Sequence, residues 1–323
     1  MPNWNELLNE VKAAGSMFDV FRRRYLARIH ELTGRNVIIY YSGWLQKRGI
    51  PGVEINDDDK NGFMTVIHKL DRALGLDLIL HTPGGETAAT ESLVQYLRSL
   101  FKTDIRAIIP QLAMSGGTMI ACACKEIVMG EHSSLGPIDP QFGGIPAHGV
   151  VEEFRRAKKE IGEDRSVIPV WQPIIAKYSP TFIGECEKAV TWSNEVTKEW
   201  LRTSMFASEQ TPEEKINRIL NELADHALTK SHARHLSKER CREMGLKVSD
   251  LESNDELQDA VLSLHHACML TFSATPAFKI IENQKGIAYI KIVQQMLIGG
   301  QGAPVHEDAR RQSPILVPDA PGN

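Results

Sequence analysis

The sequence predicts an α/β fold with a mostly parallel sheet and flanking helices, an amino-terminal helical arm and helical carboxyl-terminal additions. Three observations carry this expectation. Short apolar runs at Val37–Tyr41, Leu76–Leu80, Ile105–Pro110 and Glu126–Met129 alternate with stretches of helical periodicity, the rhythm of parallel strands joined by crossover helices. Two of these strands run into glycine pairs, Gly84-Gly85 in LILHTPGGETAAT and Gly116-Gly117 in IRAIIPQLAMSGGTMIA. From Val150 onward the pattern is almost wholly helical.

Taken in order, apolar residues recur at helical spacing from Asn5 to Thr33 (Leu8, Val11, Phe18, Phe21, Tyr25, Ile29), and Gly34 closes the segment. Within it, Arg22-Arg23-Arg24 reads as a solvated helix face rather than a binding patch. The polar stretch through Asn56-Asp57-Asp58-Asp59 leads into a helix across Phe63–Leu74. These aspartates lack the glycine turn and closing glutamate of a calcium loop, so they read as acidic residues at the positive end of a helix. Later helices are expected near Val150–Ile161, Thr181–Phe206, Pro212–His226 and Asp255–Thr271, with a shorter piece at Ser237–Met244. After Pro276, KIIENQKGIAYIKIV reads as a late strand or an oligomer contact, and the tail from Gly299 as flexible. The chain thus divides into a helical arm (1–34), a core with helical insertions (35–250), a carboxyl-terminal helix and extension (251–298) and a tail (299–323).

Composition narrows the function. A chain of 323 residues can bury one α/β core and a helical addition. Hydrophobic residues make up 42%, charged residues 24%, and the net charge is −4. No basic field exists to displace phosphate counterions, so nucleic acid is not expected as a partner. Cys122, Cys124, Cys186, Cys241 and Cys268 are scattered without CxxC spacing, which is neither a disulfide framework nor a zinc site. Cys122 and Cys124 read as small packing residues, and no metal or cofactor is expected. Residues 1–30 mix charged and apolar side chains, unlike a signal peptide. The longest apolar run surrounds Ser115 and is broken by Pro110 and the glycine pair, so no membrane span is expected. This is the composition of a soluble cytoplasmic enzyme.

The chemistry lies in the glycine pairs. Ser115 falls on a tight strand-to-helix turn, where glycine lets the backbone bend and leaves amide N–H groups free for a ligand. The Gly84-Gly85 turn lies about thirty residues earlier and opens a second helix. In parallel sheets, sites gather at the carboxyl ends of strands, so topology brings the two turns together. An attacking oxygen beside two sources of oxyanion donors makes up an acyl-transfer site. The ordinary alternative for Ser115 is a small residue required for tight packing.

TPGGE and MSGGTMIA, followed by EIVMGEHSSLGPIDPQ, resemble the Clp-fold serine peptidases, a ClpP/crotonase-like superfamily shared with Clp protease, signal peptide peptidase A and the crotonases. Within it the chain looks like a serine dehydrogenase proteinase. The resemblance runs from Trp4 to Ile290 through ELTGRNVIIYYSGWLQ, INDDDKNGFM and KYSPTFIGECEKA, and GLKV resembles the motif that ends the core. It implies a serine endopeptidase working through an acyl-enzyme, with Ser115 as nucleophile and Gly84, Gly85 and Gly116 around the oxyanion. It further implies a peptide or protein substrate and a homo-oligomeric ring, and leaves any ATPase or adaptor partner unspecified.

The base is less plain. Where Clp protease carries its histidine this chain has Asp139, and the third triad position falls at Ala233, so the Ser-His-Asp set is not reproduced. Signal peptide peptidase A pairs its serine with a lysine near a tyrosine. Lys177 in PIIAKYSPTF fits that distance and context, while Lys158 and Lys159 fit the distance only and read as a solvated face. A lysine base must be uncharged, which requires burial. Ile174, Ile175, Tyr178 and Phe182 are expected to supply it. His148 in IPAHGV is the alternative base, Asp139 is expected to line the site or tie a neighbouring subunit, and His81 to orient the first glycine turn. His232 and His235 are expected to tie down the loop before the last core motif. Two rival functions keep the same fold. One is a crotonase-like acyl-CoA hydrolase or isomerase using the paired amides on a thioester; the other is a scaffold that has lost its base.

Overall fold

The structure, a computed structural model, describes residues 18–224 and 234–293. The chain begins with α1 (Phe18–Thr33), β1 (Asn36–Ser42), α2 (Asp59–Ile67), β2 (Leu76–His81), α3 (Thr87–Phe101) and β3 (Ile105–Ile109). Next come β4 (Leu112–Ala113), α4 (Gly116–Cys122), β5 (Glu126–Met129), β6 (Ser134–Leu135) and a small hairpin of β7 (Gln141–Phe142) and β8 (Ile145–Pro146). A helical stretch follows, with α5 (Ala147–Glu163), α6 (Ile168–Ile175), α7 (Phe182–Thr203) and α8 (Glu213–Ala224). The chain then closes with β9 (Leu236–Ser237), α9 (Lys238–Met244), β10 (Val248–Asp250), α10 (Asp255–Ala274), β11 (Ala277–Asn283) and β12 (Ala288–Ile292).

Among the described residues, seven strands form the central sheet in the order β10-β5-β3-β2-β1-β11-β12. The run from β10 to β1 is parallel, and the β11–β12 hairpin joins β1 antiparallel. Every residue of β1 and β2 is buried, as expected of parallel strands covered on both faces. On one face Leu78 and Leu80 pack with Leu93 and Leu97 of α3, Ile120 of α4 and Ile219 of α8. On the other, Ile39, Ile79 and Ile108 meet Leu26 and Ile29 of α1 and Leu264 and Cys268 of α10.

Several expectations change. Arg22 is not part of a solvated face: it is fully buried, its Nε 2.8 Å from Glu282 Oε2 and its Nη1 3.0 Å from the Thr271 hydroxyl. The Arg22 side chain reaches both α10 and β11, and the acid on β11 that pairs with it comes from the far end of the sequence. The helix expected across Phe63–Leu74 instead starts at Asp59 and stops at Ile67, where Lys69 takes a positive φ of 62°. Helix α6 was not expected, because Pro169 and Pro173 obscure it; the first of these sits in the opening turn, where proline is tolerated. The late strand is realised as β11, in register with β1 through Tyr41 and Ile280. All five cysteines are buried, and burial pushes the Cys124 thiol up to about 12. The tail from Gly299 and the end of the Pro212–His226 helix lie outside the described residues.

Candidate active site

Strands β2 and β3 are parallel neighbours, so the chain leaves both at the same edge of the sheet. After β3 it bends to follow the segment after β2, with Thr82 N–H donating to Leu112 O at 3.1 Å and Met114 N–H to Thr82 O at 3.0 Å. Ser115 then caps α4 with φ 49° and ψ −114°. Among the described non-glycine residues only Lys69 and Lys102 share a positive φ. Such backbone costs roughly 1–3 kcal/mol and persists where its surroundings over-determine it. Here Gly117 N–H donates to Met114 O at 2.7 Å, Met119 N–H to Ser115 O at 3.1 Å, and the Thr118 hydroxyl sits between the Ala113 and Gly136 carbonyls at 2.9 and 2.8 Å.

The two glycine turns touch. A Cβ on Gly84, whose φ is +93°, would stand 2.6 Å from Ser115 Cβ and 2.8 Å from Gly116 N. A Cβ on Gly116 would stand 3.4 Å from Gly85 N. Among the described residues, neither the Gly85 nor the Gly116 N–H donates to a protein acceptor, so two unspent donors lie side by side next to Ser115. Gly84 differs from its expected role. Its N–H is directed to Thr82 Oγ1 at 3.2 Å, so it contributes close approach rather than a donor.

The Gly84–Glu86 segment is held by residues that sequence reasoning missed. Ile55 lies along it, donating to Gly84 O at 2.8 Å and accepting from Glu86 N–H at 3.0 Å. Ile55 is fixed from both sides. Lys279 donates to the Glu54 carbonyl at 2.7 Å and to both oxygens of Asp59 at 2.8 Å. Asp59 Oδ2 also accepts from Asn56 N–H at 3.0 Å and from the Tyr40 hydroxyl at 2.5 Å. Burial pulls the Lys279 ammonium below its ordinary pKa, and Asp59 opposes that pull. The one signal in the sequence was a lone lysine in the apolar strand AFKIIEN.

Other expected residues separate into two groups. Asp139 is buried and follows β6, whose parallel pairing with β4 through Ala113 and Leu135 carries this segment past the serine turn. Its Oδ1 lies 3.5 Å from the backbone N of His148. His148, at the start of α5, has a buried Nε2 without a hydrogen-bond partner among the described residues and lies in the wall of a cleft of about 660 Å³ between α5, α7 and α8.

Lys177 lacks the burial expected of it. It is exposed just after α6, on a separate groove with Glu153, Tyr178 and Phe182. Tyr178 instead packs edge-on to Phe154 at 5.2 Å and stacks on Phe182 at 5.8 Å, beside Val150, Val151 and Cys186, so the aromatic surface is spent on the helical layer. Lys158 and Lys159 are exposed, as expected. The His81 ring lies with Trp44 at 4.3 Å, Tyr41 at 5.4 Å and His265 at 5.2 Å, on the α10 face of the sheet and away from α4. His235 is exposed, and His232 and Ala233 fall outside the described residues.

Residues 12–269 match the family described as ClpP-like SDH-type serine proteinase. The chain belongs to this family. Both glycine turns, Ser115 and the Asp59 anchor lie inside the matched region. Two relatives come from Methanocaldococcus jannaschii. The chain is 28% identical to the uncharacterized protein MJ1495 over 231 residues, 71% of each chain. It is 36% identical to the uncharacterized protein MJ0137 over 121 residues, 37% of this chain and 42% of that one. For this ClpP-like SDH-type serine proteinase the family gives the hydrolase class and the relatives give no substrate. Among the described residues no cluster of His, Cys, Asp or Glu could hold a metal ion, and no helix is long and apolar enough to cross a membrane.

Proposed function

We propose that this serine proteinase is an endopeptidase working through an acyl-enzyme. Ser115 Oγ attacks the scissile carbonyl, and the Gly85 and Gly116 N–H groups receive the resulting oxyanion. One observation carries the reading: a serine strained into positive φ stands against Gly84, beside two amide donors with no protein acceptor. Preorganised donors of this kind act where charge develops in the transition state, which is where binding energy accelerates chemistry.

The proton acceptor has two candidates. In a Ser-Lys dyad, Lys177 would need cover from the bound substrate or a second copy of the chain. Exposed Ile168 and Val170 on α6, at 40% and 62%, are compatible with a homo-oligomer that provides it. His148 needs no such cover, because its Nε2 is already buried and unpartnered, and its backbone N lies 3.5 Å from Asp139 Oδ1. We favour His148 on that ground. In either case the base takes the Ser115 proton and returns it to the leaving amine, and water then releases the acyl group.

Labelling with a fluorophosphonate, read by mass spectrometry, tests the nucleophile. Modification at Ser115, lost in Ser115→Ala, supports the reading; an unlabelled serine in the folded protein overturns it. Acylation rates of His148→Gln and Lys177→Met assign the base, with a loss of at least ~10² expected for whichever serves.

A further inference from the structure

Resting on the peptidase reading, we propose that the cleft between α5, α7 and α8 binds the substrate as an extended polypeptide, through its main-chain amides rather than its side chains. Its volume of about 660 Å³ falls within the ~300–1,000 Å³ of ligand sites.

Each helix turns one face to the cleft. Helix α8 contributes Asn217, Leu220, Asn221 and Ala224, which share a side of the helix at spacings of three and four. The two carboxamides are therefore stacked one turn apart over small and apolar surface. Helix α7 adds Asn194, whose Oδ1 is buried without a partner among the described residues, and α5 adds His148, whose Nε2 is in the same condition. Buried polar atoms are nearly always hydrogen-bonded, and two such orphans on residues that line one cleft point to a polar ligand that draws these side chains out to complete them.

The chemistry selects the ligand class. A carboxamide presents one acceptor and two donors in a plane, the complement of a peptide group. Asparagines from two helices suit a chain that offers N–H and C=O repeatedly along its length. The charges bordering the cleft are balanced, Glu152 and Glu195 against Arg155 and Lys198. That balance disfavours a phosphate or a nucleic acid and lets substrate side chains of either sign pass. The segment that follows β6 runs along the walls of the cleft. Ile138 N–H donates to Leu223 O of α8 at 2.8 Å, and Asp139 beside it meets the His148 backbone. That same segment begins at β6, which pairs with β4 through Leu135 and Ala113, two residues before Ser115, so in this proposal the polypeptide runs from the cleft along it toward the serine.

The test uses the full chain as Ser115→Ala, so that nothing is cleaved, and a fluorescein-labelled, reduced and alkylated polypeptide as probe. Asn217 and Asn221 are exposed helix positions, so Asn217→Ala/Asn221→Ala keeps the fold, checked by circular dichroism. Adding that pair should weaken binding by about tenfold, from the lost hydrogen bonds, while probes of unrelated sequence bind alike. In the Ser115 background the pair should leave the fluorophosphonate labelling rate unchanged and raise the KM for a long substrate without lowering kcat. No binding by Ser115→Ala, binding indifferent to the asparagines, or binding only of a highly charged probe and lost in salt, overturns the proposal. Labelling separately reports on the peptidase reading, so failure of one is not mistaken for failure of the other.

Discussion

Lys279 and Asp59, on β11 and in the first turn of α2, form a buried ion pair with Nζ 2.8 Å from each carboxylate oxygen. The pair spans 220 residues of sequence and fixes Glu54 and Asn56 on either side of Ile55. Removing the lysine leaves the buried Asp59 with only the more distant Lys291, 3.3 Å from its Oδ1, as counter-charge. Lys279→Met is expected to cost about 3–5 kcal/mol, and Lys279→Met/Asp59→Asn to recover much of that loss. Denaturant unfolding measures both; a single variant as stable as the parent would show that the pair is not what holds this segment.

Ser115 is expected to carry strain that glycine lacks. Ser115→Ala removes the hydroxyl and keeps the positive φ, so it should lose fluorophosphonate labelling while folding normally. Ser115→Gly relieves the backbone, and should be more stable than Ser115→Ala by about 1 kcal/mol although glycine usually destabilises. Thermal midpoints compared under identical conditions decide this; an alanine variant that is the more stable of the two removes the strain argument.

The glycines of the first turn should fail for different reasons. A Cβ at Gly84 meets Ser115 Cβ at 2.6 Å, and one at Gly85 meets both Ile55 N and Ile55 O at 2.3 Å. Gly84→Ala should therefore displace the serine, whereas Gly85→Ala should push Ile55 off the turn and swing the Gly85 N–H. A lost oxyanion donor costs about 10²–10³ in turnover. Acylation at the parental rate in Gly85→Ala would assign the donors elsewhere.

Acid should destabilise the α10 face. Burial holds His81 well below the ordinary histidine pKa, with His265 reinforcing it, and burial brings His265 down to about 3, with His266 and His132 adding to the effect. The unfolded chain takes up these protons near the ordinary value of about 6.5, so it binds more protons than the native state below that pH. Stability is thus fully present above pH ~6.5 and falls as pH drops, by about 2 kcal/mol for His265 alone between pH 6.5 and 5. Unfolding curves at the two pH values should show the loss, and His265→Phe should shrink it; a stability independent of pH across this window would contradict the burial.

Local rules made much of this protein legible. The parallel strands could be read because apolar runs of strand length, separated by helical periods, leave few other arrangements. The two glycine turns could be read because Gly84 takes a positive φ and the positions after Ser115 leave no room for a Cβ, and topology places both at one edge of the sheet. The misreadings share a single cause. Arg22 looks like a surface charge in any local window and becomes a core residue through Glu282, 260 residues away; Asp59 does stand in the first turn of its helix, as expected, but its burial against Lys279, 220 residues away, was not legible. Lys177 erred in the opposite direction, since apolar neighbours in sequence do not bury a side chain when Tyr178 and Phe182 turn inward to their own cluster. The sequence by itself thus determined a mostly parallel sheet and the serine beside its glycines, which depend on backbone geometry and short-range pattern. Only the tertiary structure decided which charges are buried, which amides remain unspent and which histidine faces a cleft, because burial and hydrogen-bond satisfaction belong to the packed molecule as a whole.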